Sequence, residues 1–507
     1  MKPELQLAKD YFEKGILFLK EKKLVEAEIE FRMANRYAPN RGSVLTNLAA
    51  TLIEQAKWDE AEFFCKELLK LEPEDLEGLL NLGICQLNKN DFLSAQNAFS
   101  LAATLYPQSS SAWANKGSLL LEQLQLTDAE SSLEQALLID DKCETALIGM
   151  GNLCNEKKLY EEGIRYFTEV LKLNPHNPRA MWNKALSLLR LGKFKEGWML
   201  YEARWSINEM KQNLRDLHTP LWLGKQSLLG KTIFIYCEQG FGDALQMSRY
   251  LPLLEKELGA MVIFETPECL TELMKSLSPS IKVIQRGSYS DAEIISQIDF
   301  QCPIMSLPLA FGTSLETIPN NVPYLSAHPV KCNSWADTLQ GISKHQSNGR
   351  SKLFRIGIAW SGSGHYAGKM NTKRDLSAST VASLLNMFAT ESVEFHVIQK
   401  DIEPKYSSCE VENLFFHNKK LLNFSDTAAL MSNLDLILTV DTAVGHLAGA
   451  LGLNTILLIP DPPDFMSLTN TISSPWYPNT SMLRQSSRGQ WALGDIKLAI
   501  KDFFCSR

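Results

Sequence analysis

The sequence predicts two architectures in one chain: an all-helical repeat solenoid, followed by an α/β region built as two doubly wound halves. Three observations carry that expectation. Prolines recur at 39, 73, 107 and 175, in steps of 34, 34 and 68 residues. After Trp205 the period stops at LHTPLWLGKQSLLGKT, a stretch bearing Pro and Gly. Beyond it, β-branched runs alternate with amphipathic ones, which is the pattern of βαβ units and parallel sheet. A chain of 507 residues that is 45% hydrophobic can bury more than one core.

The repeat comes first in the chain. With the proline at position 32 of a 34-residue unit, position 20 is Ala27, Ala61, Ala95 and Ala129, and position 8 is Gly15, Ala49, Gly83, Gly117 and Gly151. Position 24 is Phe31, Cys65, Phe99, Leu133 and Phe167, an apolar knob one helical turn beyond the small residue and on the same face. Small residues recur where two helices must touch, so the unit is a helix-turn-helix. It resembles the tetratricopeptide repeat, with five clear units from about residue 8 and a degenerate sixth, MWNKALSLLRLGKFKEGWMLYEARW, over residues 1–211. Stacking such units buries the bare face of each and leaves a concave groove of the kind that takes extended peptides. Position 6 carries Asn47, Asn81, Asn115 and Asn183. Their carboxamides form either a row that grips a peptide backbone or simply the residue this position of the repeat commonly holds.

Composition narrows the function classes. The formal net charge is −7 and Lys and Arg are dispersed, so a nucleic-acid surface is not expected. The N-terminal MKPELQLAKDYFEKG has charges where a secretory signal needs an apolar core, and no run has the length of a membrane span; a cytoplasmic location is expected. Ten cysteines occur without a CxxC pair, and Cys65 and Cys85 fall on apolar helix positions. Neither a metal nor a disulfide framework is expected.

Residues 212–229 read as a linker, 230–345 as a first α/β half and 346–507 as a second. TIFIYC and MVIFE flank a Gly-rich turn and helix, and RIGIAWS, EFHVIQK, NLFFHN, LDLILTV and NTILLIP supply the later strands. In open parallel sheets ligands bind beyond the carboxyl ends of the strands, so the chemistry is expected in the loops there.

Three loops carry polar residues. In CEQGFGDALQ, Gly240 and Gly242 permit a sharp turn and close approach, and Asp243 is either a general base facing a closed cleft or a helix cap. In AWSGSGHYAGKMNTKRDLS, Ser361 offers a hydroxyl at a strand end and Lys373 and Arg374 bring positive charge. The loop suits a diphosphate, or is a solvated surface loop. In TVDTAVGHLAGALG, Asp441, Thr442 and Ala443 open a helix and His446 lies a turn further on. Its first N–H groups would favour a phosphate. The alternatives are that Asp441 and Thr442 only cap the helix and that His446 is a satisfied core residue. This corner is expected to face the first loop across a cleft.

On GFGDALQMSRYLPLL and DTAVGHLAGALG the region from about 230 to 490 resembles the heptosyltransferase-like glycosyltransferases of the GT-B fold, and SPWYP at 474–478 matches bacterial repeat-containing members. The order of parts is also similar to that of protein O-GlcNAc transferases. The resemblance implies Asp243 as catalytic base and a donor site at Asp441, Thr442, Ala443 and His446, with Lys373 or Arg374 on the diphosphate. It further implies inverting, metal-independent transfer from a nucleotide sugar to a hydroxyl, on a protein or peptide acceptor held by the repeat groove. Two segments depart from the family pattern: DPPDFMSLTN stands where an Asp-Trp-Arg-Trp-like run is usual, and KMNTKRDLS where an Asn-Asp-Arg-like run is. A scaffold with an inactive transferase fold, and a transferase acting on envelope glycans, are the competing expectations.

Overall fold

A computed structural model describes residues 3–505 apart from 216, 347–352, 363–364, 367–368, 371–373, 390–391, 401–412 and 470, and apart from the side chains of 208–209, 343–346, 365–366 and 369–370. By contact the chain divides into two compact units: Met1–Ser187 with Ala203–Asn208, and Leu188–Glu202 with Glu209–Arg507.

The first unit is a stack of antiparallel helix pairs, from Pro3–Lys20 with Leu24–Tyr37 to Glu144–Glu156 with Tyr160–Leu173, and it continues into Pro178–Arg190. The small-residue positions do what their spacing requires. A Cβ added at Gly15, Gly83 or Gly151 would stand 2.6, 2.4 and 2.4 Å from the rings of Phe31, Phe99 and Phe167. Those rings are fully buried, as are Ala27, Ala61, Ala95 and Ala129. Each buried ring is worth about 1.5–3 kcal/mol against exposure. The turn within each pair carries a second period that the sequence does not announce. Lys22, Ala56, Asn90, Leu124 and Lys158 have φ of 58, 56, 62, 61 and 63°, and Gly192 has 74°. A left-handed residue thus recurs at every turn, and only the last is the glycine that this conformation favours.

The second unit holds two parallel sheets. β1 (Thr232–Tyr236), β2 (Met261–Thr266), β3 (Lys282–Gln285) and β4 (Phe300–Pro303) form the first, in the order β3-β2-β1-β4. The second is built from β5 (Phe354–Ala359), β8 (Val393–Val397), β9 (Leu414–Phe416), β10 (Leu436–Val440), β11 (Thr455–Ile459) and β12 (Thr480–Arg484), in the order β12-β11-β10-β5-β8-β9, while β6 (His365–Tyr366) and β7 (Lys369–Met370) pair antiparallel as a separate ribbon. The two sheets are all-parallel. Strands buried on two faces are mostly apolar, and LILTV of β10 and TILLI of β11 are buried at every position, Thr439 and Thr455 included. The segment before β1 is structured: Leu221 makes a parallel bridge to Gln301, and Trp222 N–H donates to the Gln301 carbonyl at 2.9 Å.

The two halves meet through defined contacts. Glu272 of the first accepts from Asn423 Nδ2 and Ser425 Oγ of the second, each at 3.0 Å. Phe241 packs edge-on to Phe424 at 5.8 Å.

Candidate functional site

The first loop starts where β1 ends. Glu238 is buried, and its carboxylate accepts the Ile304 and Met305 N–H groups at 3.0 and 3.1 Å, which ties the loop to the end of β4. The helix Phe241–Met247 follows, with Gly240 as its N-cap. Asp243 is three residues into the turn, where its Oδ2 accepts the Gly240 N–H at 3.0 Å. The carboxyl is half-buried. Burial lifts it from the usual range to about 7, the nearby Asp464 carboxylate adds to the rise, and the Gly240 N–H opposes it. Asp243 is therefore a capping residue and a carboxyl of raised basicity at once; the two sequence readings do not exclude each other.

Gly240 has φ −68° and needs no glycine-specific conformation. Gly242 is different, for a Cβ there would lie 2.8 Å from His446 Cδ2 and 3.6 Å from Ala443 Cα. Its close approach is thus to the other half of the chain. The expected gap between the first loop and the 441–446 corner is closed at this point by direct packing of the Phe241–Met247 helix on Ala443–Ala450.

In that second helix, Thr442 is the N-cap, extended at φ −144° and ψ 175°, yet its side chain caps none of the first N–H groups. The hydroxyl is buried and 3.5 Å from Thr439 Oγ1. The first turn therefore keeps donors that the Thr442 side chain does not satisfy. Asp441 is half-buried, and burial raises its carboxyl to about 7, with Asp464 adding and Arg374 opposing. His446 shares its Nδ1 with the Tyr477 hydroxyl at 3.1 Å, and burial, then Arg249 and Arg374, hold the ring down at about 4, so it is neutral at pH 7.

Arg374 reaches the same corner, donating from Nη1 to the Asp441 carbonyl at 2.8 Å. Its guanidinium lies against Gly362, where a Cβ would meet Nη2 at 2.6 Å. Lys373 lies outside the described residues. Ser361 is held to β8's end: its N–H donates to Gln399 Oε1 at 3.3 Å and its Oγ accepts from Gln399 Nε2 at 3.1 Å. In the first unit, Asn47 and Asn115 turn their amide N–H back to Ser43 and Ser111 carbonyls at 2.8 and 2.9 Å, Asn183 donates to Asn152 Oδ1 at 2.8 Å, and Asn81 is half-buried.

Two features escaped the sequence reading. Asp464, in the loop after β11, is the third carboxyl of the group, and it follows a strand end as the other loops do, so the same rule could have found it. Arg249 is buried and clamped. It donates to the Trp476 and Pro319 carbonyls at 2.8 and 2.9 Å, and it lies 4.7 Å from the Tyr477 ring centre and 5.0 Å from that of Tyr324. The SPWYP segment is thus the receptor of the first half's arginine. Among the described residues no group of three His, Cys, Asp or Glu side chains is arranged to hold a metal ion, and no helix is long and apolar enough to cross a membrane.

The tetratricopeptide repeat family model matches residues 80–143 and 157–203. Protein FlbA of Caulobacter vibrioides is 23% identical over 509 residues, covering 92% of this chain and 80% of that protein. The human protein O-mannosyl-transferase TMTC3 is 31% identical over 133 residues, which is 26% of this chain and only 14% of that protein. Among solved structures, TTC0263, a thermophilic tetratricopeptide protein of Thermus thermophilus, is 19% identical with a TM-score of 0.33, over 36% of this chain and 99% of that one. The Cut9–Hcn1 hetero-tetramer of the APC/C is 18% identical with a TM-score of 0.37, over 41% of each. The N-terminal region of this chain is a tetratricopeptide-repeat solenoid, and the region after it is α/β with parallel sheets.

Proposed function

We propose that the chain is a glycosyltransferase of the heptosyltransferase-like GT-B class, transferring a sugar from a nucleotide-sugar donor to a hydroxyl with inversion. The observation that carries this reading is the pairing of Asp243, a carboxyl raised to about 7, with a helix start at Ala443 whose first donors the N-cap side chain leaves open. Asp243 takes the proton of the attacking hydroxyl as the new glycosidic bond forms. The donor diphosphate lies on the Ala443 end of the helix, beside and not between the residues where Gly242 packs on His446, favoured by the helix dipole, with Arg374 neutralising the departing charge. Metal is not required by this scheme, because the cationic groups are protein ones. The similarity to a protein named for mannosyl transfer supports the reading at the level of class. In this proposal the repeat groove, with Asn47, Asn81, Asn115 and Asn183, holds a protein or peptide acceptor in the cytoplasm.

The test is hydrolysis or transfer with a panel of nucleotide sugars, on wild type and Asp243→Asn, beside thermal shifts with nucleoside diphosphates. Turnover that Asp243→Asn abolishes supports the proposal. Failure of every donor to bind or turn over refutes it and leaves a scaffold with a transferase-like fold.

A further inference from the structure

The helix Phe194–Tyr201 reads in sequence as the second helix of the degenerate last repeat, but it belongs by contact to the second unit. A terminal repeat normally shows solvent a polar outer face. This one buries Phe194, Trp198 and Tyr201 almost completely. The partners of those rings are the site's own loops. Phe194 stacks on Trp476 at 5.9 Å, beside the Arg249 clamp. Trp198 and Tyr201 flank Phe465, the residue after Asp464, at 6.1 and 5.7 Å. The Tyr201 hydroxyl accepts from Gln239 Nε2 at 2.9 Å, in the loop that leads into Asp243. Next to it, Glu202 accepts from Ser306 Oγ at 2.9 Å, and Ser306 follows the two residues that hold Glu238. At the other end of the segment, Arg190 Nε donates to the Pro463 carbonyl at 3.1 Å.

We infer that Tyr201 and Trp198 are positioning residues that hold the Gln239–Asp243 loop of the first half and the Pro463–Ser467 loop of the second at a fixed separation. This rests on the transferase reading only for its kinetic consequence; the geometric claim stands without it. Tyr201 touches both loops with one side chain, so its loss removes a direct link between them. The two loops come from different sheets and are far apart in sequence, and Tyr201 is a single rigid ring with a polar tip suited to join them.

The decisive variant is Tyr201→Phe, which keeps the ring on Phe465 and removes the bond to Gln239; Trp198→Leu is its partner. Amide hydrogen exchange on the full chain is the readout that needs no activity. Tyr201→Phe is expected to raise exchange in residues 238–243 by about fivefold, as the loss of one partly buried hydrogen bond does, and Trp198→Leu to raise it in 463–467 as well. If activity is found, kcat falls about ten- to a hundredfold with little change in KM, since misplacement of reacting groups acts on the chemical step, and the midpoint of the pH profile shifts. Unchanged exchange in both loops for both folded variants overturns the inference. Absent turnover in wild type, with the exchange changes present, refutes the transferase reading and upholds the positioning role.

Discussion

Arg249 of the first α/β half donates to the main-chain carbonyl of Trp476 in the second at 2.8 Å, and the residue is buried. This cation is held by carbonyls and rings, with no carboxylate among its hydrogen-bond partners. Its removal takes this donor from the Trp476 carbonyl, whose bond to it is buried, and from the Pro319 carbonyl. Arg249→Met is therefore expected to destabilise the second unit by about 2–4 kcal/mol, measured by urea unfolding of the full chain. Arg249→Lys should recover only part, because an ammonium cannot stack on Tyr477 and Tyr324 and bond two carbonyls together.

Gly242 and His446 give a second test of how the halves join. Gly242→Ala places a methyl against the imidazole, and overpacking of this kind costs about 1–3 kcal/mol. In Gly242→Ala with His446→Ala the loss should shrink, and a thermal double-mutant cycle that shows additive losses would mean that the two residues do not touch.

For Asp243 the pH dependence follows from a folded-state value near 7 against an ordinary 3.8. A base works when unprotonated, so transfer should rise with pH to a plateau with a midpoint near 7, and Asp243→Asn should lower it by about 10²–10⁴. Stability carries the opposite sign. The folded state keeps a proton that the unfolded chain has released, so this group's contribution is greatest below 4 and is lost as pH rises to 7. Relative to wild type, Asp243→Asn should gain melting temperature over that interval.

A buried histidine pair in the second sheet works in the reverse direction. His396 Nδ1 and His417 Nε2 are 3.0 Å apart, with Glu394 and Arg355 beside His396 and Lys420 and the Trp335 ring beside His417. Burial lowers both, His417 to about 4. The unfolded chain takes up protons first, so the stability these rings supply falls as pH drops from 6.5 toward 4. His417→Asn should flatten that loss in pH-dependent melting, whatever it costs at pH 8.

The left-handed turn residues predict stabilised variants. Leu124 and Lys158 carry φ of 61 and 63°. Relief of about 1–2 kcal/mol of steric strain, less the entropy glycine adds to the unfolded chain, leaves a gain of about 0.5–1 kcal/mol for Leu124→Gly or Lys158→Gly. A lowered melting temperature would contradict this.

Most of the architecture was legible because it is written in local periods. The spacing of Gly15 to Phe31 and of Gly83 to Phe99 marks the helix contacts, and apolar runs such as LILTV mark strands. The loops that carry Asp243, Ser361 and Asp441 were legible as loops for the related reason that they follow strand ends. The Arg249 clamp was not, since its partner lies 227 residues away and nothing near either one reports the other. Thr442 stands at the N-cap position that spacing expected, but tertiary packing turns its hydroxyl to Thr439 and not onto the first N–H groups of the helix. The left-handed period was hidden because Lys, Ala, Asn and Leu share no chemistry that signals φ above zero.

The division between the two compact units falls between Ser187 and Leu188, inside the continuous helix Pro178–Arg190. A graft that exchanges one solenoid for another therefore has no natural seam at the linker: cutting after residue 211 would carry away the ring system that braces Phe465 and Gln239. A junction that keeps Phe194–Tyr201 with the sheets is the one that preserves those contacts.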